Sequence, residues 1–330
     1  MPKHPDSGPP SAASFMRVQE SSLLSREQLE RLAAAETDGE LRRLLAEYGR
    51  ASLDLHDLSQ TEREIRKREA AILAQLTAHT SASKALDLFR IKYDYHNAKV
   101  LLKSEAAGIE AGHLLSEGGR LEPERLAREC QQSESSLFPL LFEAIREARE
   151  SLKKDAQAAD ILLDRAMYRE YLALSKGWTS KVVKRCVQLR IDAANLKTMA
   201  RVRRRDLGLE RLQEALIDGG RISPQRIAEI VSANGSLESL YASTPLEAAA
   251  ARLQAAIEGG SLSALERQID RAVLGYFKSG QAASFGPAPI IACMAAAEAE
   301  GEALRVILSC RKAGFPPATI HERLGDYYAS

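Results

Sequence analysis

The chain is poor in aromatic residues and in cysteine, and it has no excess of charge of either sign. Aromatic residues make up 5% of its 330 positions, and the formal net charge at pH 7 is +1. A near-neutral chain gives no global reason to expect nucleic acid as a partner. The four cysteines, Cys130, Cys186, Cys293 and Cys310, contain no C-x-x-C pair. Their spacing predicts reduced, partly buried thiols in a cytosolic protein rather than a zinc site or a disulfide framework.

Long hydrophobic runs are absent as well. The longest run, at 290–297, falls far short of the roughly 20 residues that cross a bilayer. Residues 1–15 lack the apolar core of a signal peptide and are predicted to form a disordered tail. We therefore expect a protein that is soluble or at most peripheral to a membrane.

Motifs for catalysis, cofactors and metals are missing too. The chain has no phosphate-binding loop of the Walker type, no G-x-G-x-x-G and no H-E-x-x-H. The histidines are not at metal-ligand spacing, and no serine lies in a G-x-S-x-G turn. We expect no catalytic residues, no metal, no cofactor and no small-molecule substrate, and hence a protein that is not an enzyme.

What the chain does have is a helix-forming composition and an internal repeat. Ala, Leu, Glu and Arg dominate, which favours helices. The stretch RIKYDYHNAKVLLKSEAAG at 90–108 returns as RIDAANLKTMARVRRRDLG at 190–208, and each copy runs on into Gly-Gly-Arg and a proline. Aligning the copies pairs three polar residues of the first with three of the second: Asp94 with Asp192, Asn97 with Asn195 and Lys99 with Lys197.

A third, degenerate copy lies near the end of the chain. Its segment 303–308 aligns with 195–200, so that Ala303 replaces the asparagine and Glu300 replaces the aspartate. The pattern predicts an all-α protein of three pseudo-repeated helical modules of about 100 residues each. We place these modules at 16–135, 136–235 and 236–330.

The repeated aspartate and asparagine are i,i+3 neighbours on one face of a helix. They could form a polar site for a partner or an ion. Alternatively, they could hydrogen-bond each other and loop backbone, and so fix how the helices of a module meet. Because a catalytic site has no reason to occur twice in one chain, the second interpretation is favoured. The six aligned residues are therefore predicted to be a structural repeat signature.

The second copy of the signature helix is strongly basic. Phosphate binding is one interpretation, and an ion-paired face or a patch for an acidic protein partner is the other. The lack of interleaved aromatic residues and the near-neutral net charge favour the second interpretation and predict that nucleic acid is not a partner. The cations concerned are Lys181, Lys184, Arg185, Lys197, Arg201, Arg203, Arg204 and Arg205.

The run YDYHNAKVLLKSEAAG at 93–108 resembles the signature of the C subunit of the V-type (vacuolar or archaeal-type) ATP synthases. The eukaryotic counterpart is the d subunit of the vacuolar ATPase. The runs IDAANLKTMARVRRR at 191–205, GGRISPQRI at 219–227 and FGPAPIIACMAAAEAEGEALRVIL at 285–308 are similar to the second and third modules of that family. The resemblance covers about 16–324, which is nearly the whole chain.

The resemblance implies a funnel with pseudo-threefold symmetry and no catalysis of its own. It implies a central-stalk rotor subunit, peripheral on the cytoplasmic side of the membrane. Its partners would be the D and F shaft subunits and the membrane rotor ring of c/K subunits, between which it would transmit torque for proton or sodium transport. The alternative is a helical-repeat scaffold that binds soluble protein partners through a concave face.

Overall fold

The protein is all-helical in the part of the chain that the structure describes. The structure is a computed structural model that describes residues 16, 18–80, 82–132, 138–233, 235–283 and 286–324. Every regular element in these ranges is a helix and none is a strand, which confirms the predicted all-α class.

The α-helices follow one another closely along the chain. In order they are α1 (Arg26–Ala34), α2 (Asp38–Glu47), α3 (Leu58–His79), α4 (Asp87–Ala107), α5 (Pro123–Gln132), α6 (Pro139–Leu152), α7 (Ala156–Lys176), α8 (Lys181–Arg204), α9 (Gly208–Ala215), α10 (Pro224–Ser232), α11 (Glu247–Ala250), α12 (Leu253–Ile257), α13 (Leu262–Lys278), α14 (Pro287–Lys312) and α15 (Pro317–Leu324). Short 3₁₀ turns lie at Ser83–Leu86, Gly112–Leu114, Glu238–Tyr241 and Ser279–Ala282. The three copies of the repeat lie on α4, α8 and α14.

Side-chain caps begin several of the helices. Ser25 and Gln28 form a capping box at α1. At α3 the cap is Asp57, whose carboxylate accepts the N–H of Gln60 at 2.9 Å. After α4, a 3₁₀ turn ends at Leu114 and is followed by extended backbone. The extended backbone is what allows Ser116 to bond a side chain of α4, as described below.

The chain divides into two compact units. One comprises Asp87–Tyr276, and the other comprises the described residues within Asp6–Leu86 and Phe277–Ser330. In the first unit α6 and α7 pack together and both contact α4, while α8 contacts α7, α9 and α12. Side chains on both signature helices of this unit, such as Tyr95 and Leu196, are fully buried.

The second unit brings residues from near both ends of the chain into one core. Leucines of α1 and α2, among them Leu32 and Leu41, pack in the same cluster as Leu308 of α14 and Leu324 of α15. Burial of such side chains is worth about 1.5–3 kcal/mol each. The packing of α15 on α1 therefore gives the N-terminal helices and the C-terminal helices a common source of stability.

Two expectations about the chain's chemistry can be compared with the structure. The sequence predicts partly buried thiols, and the structure places all four cysteines as buried free thiols. Within the described ranges, no helix combines the length and the hydropathy needed to cross a membrane.

Candidate functional site

The first copy of the repeated aspartate holds the loop that follows its own helix. Asp94 is fully buried on α4, and its carboxylate accepts the backbone N–H groups of Arg120 at 2.8 Å and Leu121 at 3.3 Å. The guanidinium of Arg120 also donates to Asp94 at 2.5 Å and pairs with Glu170 of α7. Burial raises the pKa of Asp94 above its usual range, although Arg120 counteracts this. One carboxylate thus joins α4, the Gly-Gly-Arg loop and α7.

The second copy repeats the contacts to backbone without the buried arginine. The carboxylate of Asp192, on α8, accepts the N–H groups of Arg221 at 3.1 Å and Ile222 at 3.2 Å. Arg221 is exposed, and no ion pair to Asp192 occurs among the residues that the structure describes. Burial raises the pKa of Asp192 to about 6, because the hydrogen bonds from those two N–H groups lower the pKa by less than burial raises it.

The paired glycines of the loop have separate physical roles. Gly118 and Gly219 have φ of 95° and 97°, a backbone conformation that favours glycine over other residues. A Cβ at Gly119 or Gly220 would instead collide with the carboxylate of Asp94 or Asp192. The first glycine therefore makes the turn, and the second lets loop backbone approach the buried carboxylate.

The repeated asparagine forms a second clamp, one helical turn further along. Asn97 accepts the N–H of Ser116 at 2.8 Å and donates to its carbonyl at 2.9 Å. Asn195 makes the same pair of bonds with Ile217, both at 2.8 Å. An amide side chain suits this position because it offers a donor and an acceptor side by side, as a neighbouring peptide group does.

The third copy keeps the carboxylate but takes its donors from the other end of the chain. Glu300 of α14 accepts the N–H of Leu24 at 3.0 Å and the guanidinium of Arg50 at 2.8 Å. Arg50 also donates to the carbonyl of Ser22 at 3.0 Å, and Arg68 lies 3.5 Å from Glu300. Glu300 and Arg50 are both buried.

Comparing the three copies shows which helix follows the donor N–H in the third. Leu24, Leu121 and Ile222 each donate a backbone N–H to the repeated carboxylate, and each is followed within two residues by the start of a helix. Those helices are α1, α5 and α10. The N-terminal helix α1 therefore occupies in the third copy the place that α5 and α10 occupy in the first two.

The repeated lysine links each signature helix to another long helix. Lys99 pairs with Asp164 of α7 at 2.7 Å, and Lys197 pairs with Asp270 of α13 at 2.6 Å. Arg305 stands at this position in the third copy and pairs with Glu62 of α3 at 2.7 Å. All three copies therefore carry a cation that makes an ion pair with a carboxylate of a distant helix.

Part of the basic character of α8 is used inside the protein. Besides Lys197, Arg201 pairs with Glu266 at 2.7 Å, and Arg204 donates to the carbonyls of Ala256 and Gly260. Arg203 and Arg205 are exposed and have no hydrogen-bond or ion-pair partner among the described residues. The ion-paired interpretation therefore accounts for part of the patch, and the helix end remains available.

These arrangements fix helices and loops, and they do not resemble a reaction centre. The described residues hold no cluster of three or more side chains that could bind a metal ion. The sequence located the carboxylates and asparagines, but it did not identify Leu24 and Arg50 as partners of Glu300. The signal that could have found them is the Ser25 capping box, which matches the Ser223-Pro224 helix start of the second module.

Comparison with known proteins agrees along almost the whole chain. The model of the ATP synthase (C/AC39) subunit family matches residues 12–323. The C subunit of the V-type sodium ATPase of Enterococcus hirae is 22% identical over 95% of this chain and 97% of its own. The C subunit of the V-type ATP synthase of Thermus thermophilus is 26% identical over 86% of this chain and 88% of its own. The C subunit of the A-type ATP synthase of Methanocaldococcus jannaschii is 25% identical over 74% of this chain and 66% of its own. The chain belongs to the ATP synthase (C/AC39) subunit family.

Proposed function

We propose that this chain is the central-stalk subunit that links the D/F shaft to the membrane rotor ring and transmits torque between them. Membership of the family makes it a non-catalytic subunit of a rotary ATP synthase or ATPase. The observation that carries the finer proposal is the carboxylate clamp, which occurs once in each of the three copies.

A subunit that transmits torque has to resist deformation. The carboxylate clamps tie α4, α8 and α14 to backbone elsewhere in the same compact unit. Asn97 and Asn195 double the attachment in two of the copies. Because packed interiors transmit strain and compress little, clamps of this kind support a stiff coupling element.

The ion pairs between modules support a coupler in a second way. The first module pairs with the second through Lys99, the second with the third through Lys197, and the third with the first through Arg305. This order is cyclic along the chain, as a pseudo-threefold arrangement requires. The funnel and the three module boundaries remain predictions.

We further propose that the protein acts as a peripheral subunit on the cytoplasmic side of the membrane, where it meets the ring through protein contacts. The family's membrane-associated complexes support this location.

Co-purification tests the proposal. A C-terminally tagged chain is expressed in its native host, membranes are solubilised in a mild detergent, and the captured proteins are identified by mass spectrometry. We expect the ring and both shaft subunits, with an untagged strain as the control. Capture of soluble proteins alone, without membrane association at low salt, would overturn the coupler and favour the helical-repeat scaffold.

A further inference from the structure

A long groove runs beside α7 in the first unit. A cavity of about 700 Å³ lies between α7 and the C-terminal half of α8, and a cavity of about 540 Å³ continues it towards α9. The two share lining residues, among them Ile161, Arg165, Val202 and Leu207. They therefore form one continuous surface along α7, α8 and α9.

The floor of the groove is apolar, and one of its residues is unusually exposed. Leu207 is 45% exposed beside the buried Val202. Its N–H closes the end of α8 by bonding the carbonyl of Val202 at 3.2 Å, after Asp206 has turned the chain with φ of 51°. The residue at this place in a Schellman cap commonly packs on its own helix. Here much of the leucine side chain remains open to the groove.

Uncompensated positive charge surrounds this floor. Arg165, Arg169 and Arg205 line the groove, are exposed, and have no hydrogen-bond or ion-pair partner among the described residues. Among the described lining residues, Glu147 is the one exposed carboxylate that has no hydrogen-bond or ion-pair partner. Asp164 and Asp270 are already paired with Lys99 and Lys197. The groove therefore offers three guanidinium groups to one carboxylate.

We propose that the α7–α9 groove binds an acidic segment of a rotor partner, in which carboxylates flank a short apolar patch. The apolar patch would cover Leu207, and the carboxylates would pair with Arg165, Arg169 and Arg205. Arginine suits this role because its planar fork binds carboxylates in a bidentate manner. The inference rests on the proposed function, because the partner is taken to be a rotor subunit.

A polypeptide accounts for the groove better than a nucleic acid does. A phosphate backbone would use the guanidinium groups but not the apolar floor of Ile161, Val202 and Leu207. Stacking of bases would require an aromatic platform beside the free arginines. Tyr168 and Tyr171 lie in the wall of the larger cavity, but Tyr171 is buried with the Arg190 guanidinium 5.6 Å from its ring. Tyr168 is half-buried, and its ring centroid lies 5.9 Å from that of Tyr171, so its ring already packs against a neighbour.

Charge reversal provides the first test. The full chain carrying Arg165→Glu and Arg205→Glu is titrated with the purified shaft subunits and, separately, with the detergent-solubilised ring. We expect the dissociation constant for one of them to rise at least about tenfold at low salt, with a smaller difference at high salt. Arg203→Glu is the matched control, since it reverses an exposed arginine on the same helix end outside the groove; we expect it to change binding less than about twofold.

A thiol footprint locates the contact independently of charge. Since all four native cysteines are buried, Leu207→Cys adds a reactive thiol on an otherwise protected background. We expect its maleimide labelling to slow at least about tenfold when the partner binds. Ile109→Cys is the control, because Ile109 occupies the matching cap position in the first copy and is 57% exposed.

The outcomes separate the two proposals. If the native chain binds a rotor partner while the groove variant binds as tightly as Arg203→Glu, the groove is not the site and the coupler stands. The same holds if Leu207→Cys labels equally fast in the complex. If the native chain binds neither shaft nor ring, the coupler fails and the groove proposal fails with it. Displacement of a bound partner by a single-stranded oligonucleotide that itself requires Arg165 and Arg205 would overturn the choice of a polypeptide.

Discussion

The first and second copies of the repeat hold their loops by the same backbone contacts but differ in how they treat the arginine of the loop. Arg120 is 10% exposed and lies between Asp94 and Glu170, whereas Arg221 is exposed. The Gly-Gly-Arg sequence is identical in the two loops. The shared Gly-Gly-Arg sequence therefore determines the backbone geometry of the loop but not the position of the arginine side chain.

The neighbouring helix explains the difference. Glu170 of α7 supplies a second carboxylate to Arg120, and the guanidinium also lies 4.4 Å from the ring of Phe138. Asp164 and Asp270 match each other, because they pair with the aligned Lys99 and Lys197. Six residues after Asp164 lies Glu170, whereas six residues after Asp270 lies Tyr276, which carries no carboxylate. Burying a guanidinium requires compensation by charge or hydrogen bonds, and the Arg221 side chain has no carboxylate partner among the described residues. Arg221 therefore remains in solvent.

The largest expected effect follows directly from that difference. Asp94→Ala leaves Arg120 buried with Glu170 as its remaining carboxylate partner, and it leaves two loop N–H groups without an acceptor. We expect unfolding to become easier by about 3–5 kcal/mol. Asp192→Ala leaves two loop N–H groups without an acceptor but leaves no buried cation without a partner. We expect it to lower the free energy of unfolding by about 1–3 kcal/mol. The fluorescence of Trp178, the chain's one tryptophan and a buried residue of the same unit, can follow both unfolding transitions.

The difference between the two variants is the quantity that matters. Equal costs for Asp94→Ala and Asp192→Ala would mean that the arginine contributes nothing to the first clamp. A control for the loop itself is Arg221→Leu, which should stay within about 0.5 kcal/mol because the side chain is exposed.

The asparagine clamp has the same hydrogen-bond geometry in the two copies, but it is more buried in the first. Asn97→Leu removes two hydrogen bonds and leaves the buried N–H and C=O of Ser116 without partners. Asn195→Leu does the same to the partly buried backbone of Ile217. We expect Asn97→Leu to cost about 2–3 kcal/mol in thermal or urea unfolding, and Asn195→Leu to cost less. A melting temperature that stays unchanged while assembly with rotor subunits is lost would assign the asparagines to an interface instead.

The missing arginine should also make the second clamp sensitive to pH. The pKa of Asp192 is raised by burial to about 6, against an ordinary value of 3.8. An acid with a raised native pKa binds its proton more tightly in the folded state, so its contribution to stability is present below about pH 4 and is lost as the pH rises through 6. Asp192→Asn should therefore gain up to about 2–3 kcal/mol relative to the native chain between pH 4 and pH 7.

Unfolding at several pH values checks this expectation. Asp218→Asn, an exposed change in the same loop, is the matched control and should follow the native chain throughout. A constant difference between Asp192→Asn and the native chain from pH 4 to pH 7 would contradict the prediction.

The sequence predicted the helices and the repeated residues because both rest on local patterns. The apolar spacing of α4 and α8, and the recurrence of Asp94 and Asn97, could be read from the chain alone. The partners of Glu300 could not, because Leu24 and Arg50 are separated from it by most of the chain. The burial of Arg120 was equally hidden, since it depends on Glu170, which lies 50 positions further along the chain. Contacts set by tertiary packing between distant segments leave little trace in a single sequence.

The smallest expected effect comes from the lysines that pair the signature helices with α7 and α13. Lys99 and Lys197 pair with carboxylates that are 47% and 60% exposed, so solvent weakens both interactions. Lys99→Ala and Lys197→Ala should each cost less than about 1 kcal/mol, and the cost should fall further at about 0.5 M salt. Lys154→Ala, an exposed lysine on the same unit, is the control. A cost above about 2 kcal/mol for either lysine would mean that charge holds these helices in place. A small cost would leave that role to the apolar contacts between the helices and to the buried clamps.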